Sequence, residues 1–145
     1  MYGGAPHIEI FEQAYELSKN RLCYNGDVNT VEDYKNICRK FPNIDSVMIG
    51  RGAVRNPAIF REIRGGKPIT YEEIVAFSKA LAEKYNAVYQ SEIFTVHKLK
   101  EIWLYIMQSF PEEKKTIKAI KKSVRLSDIE RAAESMYLTK QKNML

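Results

Sequence analysis

The chain has 145 residues, about the length of one domain. Apolar residues make up 45% and charged residues 28%, a balance that excludes general disorder. No apolar run approaches the roughly 18 residues needed to cross a bilayer, the opening residues lack a signal-peptide pattern, and two cysteines are too few for a disulfide scaffold. We therefore expect a cytoplasmic protein with no membrane contact.

Positive charge is concentrated in the second half of the chain. Residues 1–60 carry seven basic and seven acidic side chains, whereas residues 61–145 carry sixteen basic and eleven acidic ones. The second half therefore holds the whole net charge of +5. This asymmetry favours contact with a polyanion, although mildly basic solvated helices show it too.

The first part of the chain contains two helical patterns. Apolar residues recur at helical spacing over residues 7–19, which predicts the first helix. Thr30 is a suitable N-cap because acidic residues follow it, and Pro42 ends the helix that it begins.

Two short apolar runs, at residues 22–24 and 46–49, predict strands. The runs are nearly continuous rather than alternating, which is typical of parallel strands that are buried on both faces. Each run leads directly into a glycine turn, Asn25-Gly26-Asp27 after the first and Gly50-Arg51-Gly52 after the second. The alternation of helix and strand patterns over residues 1–64 therefore predicts two βα units.

The two glycine turns form a candidate phosphate site. Ligand sites of parallel α/β folds lie at the carboxyl ends of the strands. Glycine lets the backbone approach a ligand, and Arg51 adds a positive donor fork. Two ordinary tight turns explain the spacing equally well.

Everything after the Gly-Gly-Lys-Pro break is helical in pattern. We interpret residues 65–69 as a linker and residues 70–145 as a separate helical domain. Four helices with short connections predict a small antiparallel bundle. Trp103 lies on the apolar seam of one helix, which favours core packing over base stacking.

Local signals mark the helix starts in this domain. Thr70 with Glu73 and Ser127 with Glu130 match the capping-box pattern. Pro111 suits a first helical position.

Residues 114–125 contain six basic side chains and no acid, and they predict an amphipathic helix. Its expected apolar face consists of Ile117, Ile120 and Val124. Its expected basic face consists of Lys114, Lys118, Lys121, Lys122 and Arg125. Such a face can follow a nucleic-acid backbone, but a solvated surface helix or a helix at a membrane surface fits the pattern as well.

Several motifs together resemble the tRNA-dihydrouridine synthases. The motifs are Tyr24-Asn25-Gly26-Asp27-Val28, Val47-Met48-Ile49-Gly50-Arg51-Gly52-Ala53, Asn56-Pro57, Ile59-Phe60, Tyr2-Gly3-Gly4 and the segment 96–103. The resemblance covers nearly the whole chain, and the spacing between the two glycine motifs is its most specific part.

The resemblance implies an α/β fragment followed by an all-α domain, mostly helical overall. Residues 1–64 would be the last two βα units of an FMN-binding TIM barrel, and residues 70–145 a four-helix bundle that binds tRNA. The family uses FMN and NADPH to reduce uridine to 5,6-dihydrouridine in tRNA. Its FMN-phosphate loops correspond here to Asn25, Gly26, Asp27, Gly50 and Arg51. For Asp27 we expect a contact through its backbone N–H, or a side chain that holds the turn or Arg51.

The resemblance also makes tRNA binding the preferred role of the basic helix. Residues expected to contact tRNA are Arg55, Lys98, Lys100, Lys114, Lys118, Lys121, Lys122 and Arg125.

No catalytic residue or metal ligand is expected in this sequence. The catalytic cysteine of the family would precede it, whereas Cys23 and Cys38 do not match that motif and are expected to be small buried hydrophobes. We expect the chain to be inactive alone, to bind FMN weakly or not at all, and to self-associate through exposed barrel edges. The alternatives are a stand-alone helical RNA-binding module with a vestigial barrel segment, or another barrel enzyme that shares only the phosphate loops.

Overall fold

The computed structural model describes residues 7–143, so the Tyr2-Gly3-Gly4 motif lies outside the described residues. The described part is mostly helical, with two short parallel strands. The chain divides into two compact units, Met1–Pro68 and Ile69–Leu145. The division falls inside the segment 65–69 that the sequence marks as a break.

The first unit contains two strands and four helices among its described residues. In chain order they are α1 (Ile8–Leu17), β1 (Cys23–Tyr24), α2 (Val31–Lys40), β2 (Ser46–Val47), α3 (Arg51–Arg55) and α4 (Ile59–Ile63). Strands β1 and β2 are parallel, with Tyr24 paired to Val47. The buried residues Tyr24, Val28, Ile37 and Phe41 form one cluster, and Phe11 of α1 packs edge-on against Phe41 with ring centroids 5.1 Å apart.

Residues 7–143 cover only one face of the two-stranded sheet, so the prediction of burial on both faces is wrong. Successive strand residues point to opposite faces, and Tyr24 faces the aromatic cluster while Cys23 faces solvent. Met48 is likewise 53% exposed. The expectation that both cysteines are buried fails for the same reason at Cys23, and Cys38 is only half-buried.

The second unit contains four α-helices that share one core. They are α5 (Tyr71–Tyr89), α6 (Glu92–Ile106), α7 (Lys114–Lys122) and α8 (Leu126–Asn143), with a 3₁₀ turn at Met107–Ser109. Trp103 is completely buried, as its position on the seam predicts. Its indole Nε1 donates a 2.9 Å hydrogen bond to Ser78 Oγ.

Two predicted helix starts are confirmed. The hydroxyl of Thr30 accepts from the backbone N–H of Asp33, whose carboxylate accepts from the Thr30 N–H in return. Thr70 and Glu73 make the same reciprocal pair at the start of α5. Each box satisfies amide groups that a helix N-terminus leaves without partners.

The predicted starts of the last two helices are wrong. Helix α8 begins at Leu126, and Asp128 Oδ2 accepts from the backbone N–H groups of both Val124 and Arg125 at 3.1 Å. The Asp128 carboxylate therefore caps the start of α8, the role that the sequence predicts for Ser127 and Glu130. Pro111 lies in a turn before α7 rather than in its first turn.

Candidate functional site

The two glycine turns lie side by side at the carboxyl ends of β1 and β2. The N–H of Met48 donates to the carbonyl of Tyr24 at 2.8 Å, which extends the strand pairing up to the turns. Beyond it, a Cβ added at Gly52 would lie 2.2 Å from the carbonyl oxygen of Val28. The loop after β2 therefore touches the loop after β1 so closely that only glycine fits at position 52.

An ion pair joins the two turns. The guanidinium Nη2 of Arg51 donates to Oδ1 of Asp27. This is one of the two contacts expected for Asp27, the one in which its side chain holds Arg51. The Arg51 side chain remains 55% exposed, and its Nε and Nη1 groups have no acceptor among residues 7–143. Arg51 therefore keeps donors for a ligand.

The backbone around this ion pair offers further donors. The N–H groups of Gly26, Asp27, Gly50 and Arg51 have no acceptor within the described part of the chain. No atom lies within 4 Å of the position that a Cβ at Gly50 would take, so the space beside that residue is open. Unpaired amides beside a guanidinium are a donor set that suits a phosphate.

The side chain of Tyr24 packs against the turn that follows β1. A Cβ added at Gly26 would lie 2.3 Å from the Tyr24 hydroxyl, so the turn rests directly on the tyrosine ring. Burial raises the pKa of Tyr24, and the neighbouring Asp27 carboxylate raises it further, while Lys40 acts in the opposite direction. Tyr24 is therefore a neutral phenol at neutral pH, and its role is to support the backbone.

Arg55 lies one helical turn beyond Arg51, at the end of α3. Its side chain is half-buried, and its Nε is buried with no hydrogen-bond partner in the described residues. The structure thus places a second arginine near the loops on the short helix that follows β2.

Helix α7 presents lysines to solvent along most of its length. The exposed lysines are Lys114, Lys115, Lys118, Lys121 and Lys122. None of them forms an ion pair with another described residue. The opposite side of the helix is anchored in the core by Thr116 and Ile120. Lys115 is missing from the basic face that the sequence predicts, although its spacing of three from Lys118 could have identified it.

The predicted faces of α7 require two corrections. The helix ends at Lys122, because Ser123 adopts an extended backbone conformation with ψ of 139°. Arg125 therefore lies beyond the helix and is not part of its basic face. Val124 is 74% exposed and does not belong to the apolar face.

The two lysines of α6 differ from those of α7. Lys98 is exposed, but its Nζ lies 2.9 Å from Glu101 Oε2, and this hydrogen bond raises the pKa of Lys98. Lys100 is half-buried. The cations of α6 are thus less available than those of α7.

Residues 7–143 contain neither a membrane-spanning helix nor a metal-binding cluster. No helix there is long and apolar enough to cross a membrane. No cluster of three or more His, Cys, Asp or Glu side chains in the same residues is arranged to hold a metal ion.

Comparison with known proteins gives a family match over most of the chain. The model of the dihydrouridine synthase (Dus) family matches residues 9–141. The tRNA-dihydrouridine(16) synthase of Cupriavidus necator is 31% identical over 122 residues, which are 77% of this chain and 36% of that protein. The tRNA-dihydrouridine(47) synthase of Saccharomyces cerevisiae, whose name includes NAD(P)(+), is 50% identical over 48 residues, or 32% of this chain and 7% of that protein. The chain thus spans about a third or less of these relatives.

Proposed function

The chain belongs to the dihydrouridine synthase family, and we propose that it is the carboxyl-terminal portion of an FMN-dependent tRNA-dihydrouridine synthase. The complete enzyme would reduce uridine to 5,6-dihydrouridine in tRNA, with NADPH as the reductant, in the cytoplasm. The family match over residues 9–141 supports this assignment at the level of the family. The finer assignment rests on the paired loops and on the lysines of α7.

The paired loops are proposed to hold the phosphate of FMN. The residues that would hold it are Asn25, Gly26, Asp27, Gly50 and Arg51. Four of these residues, all but Asn25, have backbone amides without an acceptor among residues 7–143, and these amides fit a phosphate together with the remaining donors of Arg51. The Asp27 carboxylate orients Arg51. Bound FMN would supply hydride transfer, while this chain contributes binding and no catalytic residue.

The first unit is proposed to be the last two βα units of a TIM barrel. The parallel pairing of β1 with β2 across helix α2 supports this, since parallel neighbours joined by a helix are the repeating unit of such barrels. The second unit is proposed to be a four-helix bundle. We further propose that the open edges of β1 and β2 lead the chain to self-associate in isolation.

The second unit is proposed to bind the tRNA backbone. The observation that carries this proposal is the row of exposed α7 lysines, which have no carboxylate partner among residues 7–143. Phosphates can supply the counter-charge for such a row. The proposed contacts are Lys114, Lys118, Lys121 and Lys122 on α7, with Lys98, Lys100, Arg55 and Arg125 as additional cations.

A charge-reversal experiment tests the tRNA assignment. Replacing Lys118, Lys121 and Lys122 with Glu should abolish retention of tRNA on the immobilised chain at low salt. The matched control replaces the exposed Lys19, Lys35 and Lys84 with Glu, which changes the net charge equally. Equal loss in both triple variants, or retention by the α7 variant, would contradict the assignment.

The expectation that the isolated chain binds flavin weakly has its own test. We expect the chain by itself to be inactive and to bind FMN weakly, since it contributes only the phosphate end of the cofactor site. Flavin absorbance that copurifies with the chain would contradict this expectation. A stand-alone RNA-binding module is the second candidate, favoured by the separate core of the helical unit. It would be supported if the complete gene product binds tRNA and no flavin.

A further inference from the structure

Residues 65–68 are the last four residues of the first unit and lead directly into the helical unit. Their sequence begins with two consecutive glycines, which are typical of a flexible linker. The structure instead holds the backbone of this segment in two ways, at the end of α4 and through the side chain of Arg61. The segment is therefore a folded part of the first unit.

Helix α4 ends in a Schellman motif. The N–H of Gly66 donates to the carbonyl of Arg61 at 2.9 Å. The N–H of Gly65 donates to the carbonyl of Glu62, also at 2.9 Å. These are the two hydrogen bonds that define the motif, and Gly65 has the left-handed backbone that it requires, with a φ of 82°. The chain therefore turns at a fixed point directly after α4.

The side chain of Arg61 holds the two residues that follow the glycines. Its Nε donates to the carbonyl of Lys67 at 3.0 Å, and its Nη2 donates to the carbonyl of Pro68 at 3.3 Å. A guanidinium is a planar fork of donors, so one side chain can hold two successive carbonyl groups at once. Arg61 thus contacts residues 65–68 with both its main-chain carbonyl and its side chain.

The two glycines meet different requirements of this arrangement. A Cβ added at Gly66 would lie 2.5 Å from Arg61 Cγ and 2.9 Å from the Arg61 carbonyl oxygen. Among the described residues, no atom lies within 4 Å of the Cβ position of Gly65. Gly66 therefore leaves space for the close approach of Arg61, whereas Gly65 supplies the left-handed turn.

We propose that the two hydrogen bonds from the Arg61 guanidinium, the Arg61 clamp, hold the connection between the units in one conformation, so that residues 65–68 are an extension of α4 and not a flexible tether. The functional consequence rests on the proposed function, in which the first unit binds the flavin phosphate and the second binds tRNA. The stiffness of a connection sets the effective concentration at which one linked site meets the ligand of the other. A clamped connection therefore restricts the ways in which bound tRNA is presented to the flavin.

Limited trypsin digestion of the full chain, without tRNA or flavin, tests the Arg61 clamp. Trypsin cleaves after arginine and lysine but not before proline, so Arg64 is the only cleavage site within residues 64–68. Cleavage of a closed segment follows the population of its open form. Arg61→Met removes the donors and keeps a residue that favours helix. Cleavage after Arg64 should accelerate roughly five- to tenfold, which corresponds to the net contribution of a typical hydrogen bond.

Gly66→Ala disrupts the same clamp from the backbone, because its methyl group would displace Arg61. It should accelerate cleavage after Arg64 as Arg61→Met does. The matched control is Gly65→Asn, since asparagine also occurs in the left-handed conformation at this position of the motif and has open space there. This variant should keep the cleavage rate of the unaltered chain. Arg21→Met, which removes an exposed arginine from the same unit, should keep that rate too.

Cleavage after Lys35, an exposed lysine of α2, reports general opening of the first unit and should keep its rate in every variant. Equal acceleration at Lys35 and Arg64 would show that the variants only destabilise the unit, and it would overturn the clamp. Cleavage after Arg64 that is as fast in the unaltered chain as in Arg61→Met would overturn it as well. Since the digestion contains no ligand, a failure of tRNA retention would refute the proposed function and leave the clamp in place.

Discussion

The guanidinium of Arg51 donates a hydrogen bond to the carboxylate of Asp27, and this ion pair joins the loops that follow β1 and β2. The two residues are separated by 24 positions in sequence. The contact orients Arg51 beside backbone amides that have no acceptor within the described part of the chain. It is therefore the structural basis of the proposed phosphate site.

Asp27→Asn should affect the position of Arg51 more than the stability of the chain. Both side chains are substantially exposed, and exposed ion pairs contribute at most about 1 kcal/mol. The free energy of unfolding, measured in urea, should therefore fall by less than that amount. The control Glu32→Gln removes the exposed Arg39–Glu32 pair, and its free energy of unfolding should change by a similarly small amount. In NMR spectra, the Nε–H signal of Arg51 should shift and report a more mobile side chain in Asp27→Asn, but not in Glu32→Gln. An unchanged Arg51 signal would show that the carboxylate does not hold it.

Gly52→Ala should disrupt the contact between the two loops. The added methyl group would lie 2.2 Å from the backbone oxygen of Val28, which is a backbone atom that cannot rotate away. Overpacking of this kind costs about 1–3 kcal/mol. Gly50→Ala is the control, because nothing lies within 4 Å of its added atom. Hydrogen exchange of the Tyr24 and Met48 amides should speed up in Gly52→Ala and not in Gly50→Ala; equal rates in the two variants would refute the close approach.

Ser78→Ala should destabilise the helical unit. It leaves the buried indole N–H of Trp103 without an acceptor, and an unsatisfied buried donor costs about 1–3 kcal/mol. Ser135→Ala, at an exposed position of α8, is the matched control and should be nearly neutral. Denaturant unfolding, followed by tryptophan fluorescence, measures the free energy of unfolding of both variants. A Ser78→Ala chain as stable as the control would mean that the hydrogen bond contributes nothing.

Asp128 should make the start of α8 sensitive to acid. Hydrogen bonds from the backbone N–H groups of Val124 and Arg125 lower the pKa of Asp128 below its ordinary value. A lowered folded-state pKa means that the stabilisation is fully present above the unfolded pKa of about 3.9, and that it is lost as the pH falls through the folded pKa.

The comparison of Asp128→Asn with the unaltered chain measures this effect. At pH 7 the variant should be the less stable of the two, and the difference should shrink steadily on acidification below about pH 4. Glu130→Gln, an exposed carboxylate of the same helix, should give no comparable trend. A difference that stays constant down to pH 2 would exclude a role for the Asp128 charge.

Prediction from the sequence succeeded where a local pattern had a single physical solution. Thr70 and Glu73 have the capping-box spacing and form that box at the start of α5. Trp103 fell on an apolar seam with the spacing of a packed helix, and it is buried. It failed where neighbouring residues competed. Asp128 lies beside Ser127, has the shorter carboxylate that reaches two amides, and displaced the predicted pair of Ser127 and Glu130.

The order of helices and strands, the two glycine turns, the excess of lysine and the family resemblance are properties of the sequence itself, because they depend on residue type and on spacing along the chain. The tertiary structure alone decided that Cys23 faces solvent, that Asp27 holds Arg51, and that α7 ends before Arg125. Each of these depends on atoms that are distant in sequence or on a backbone angle at one residue, and neither is encoded in a periodic pattern.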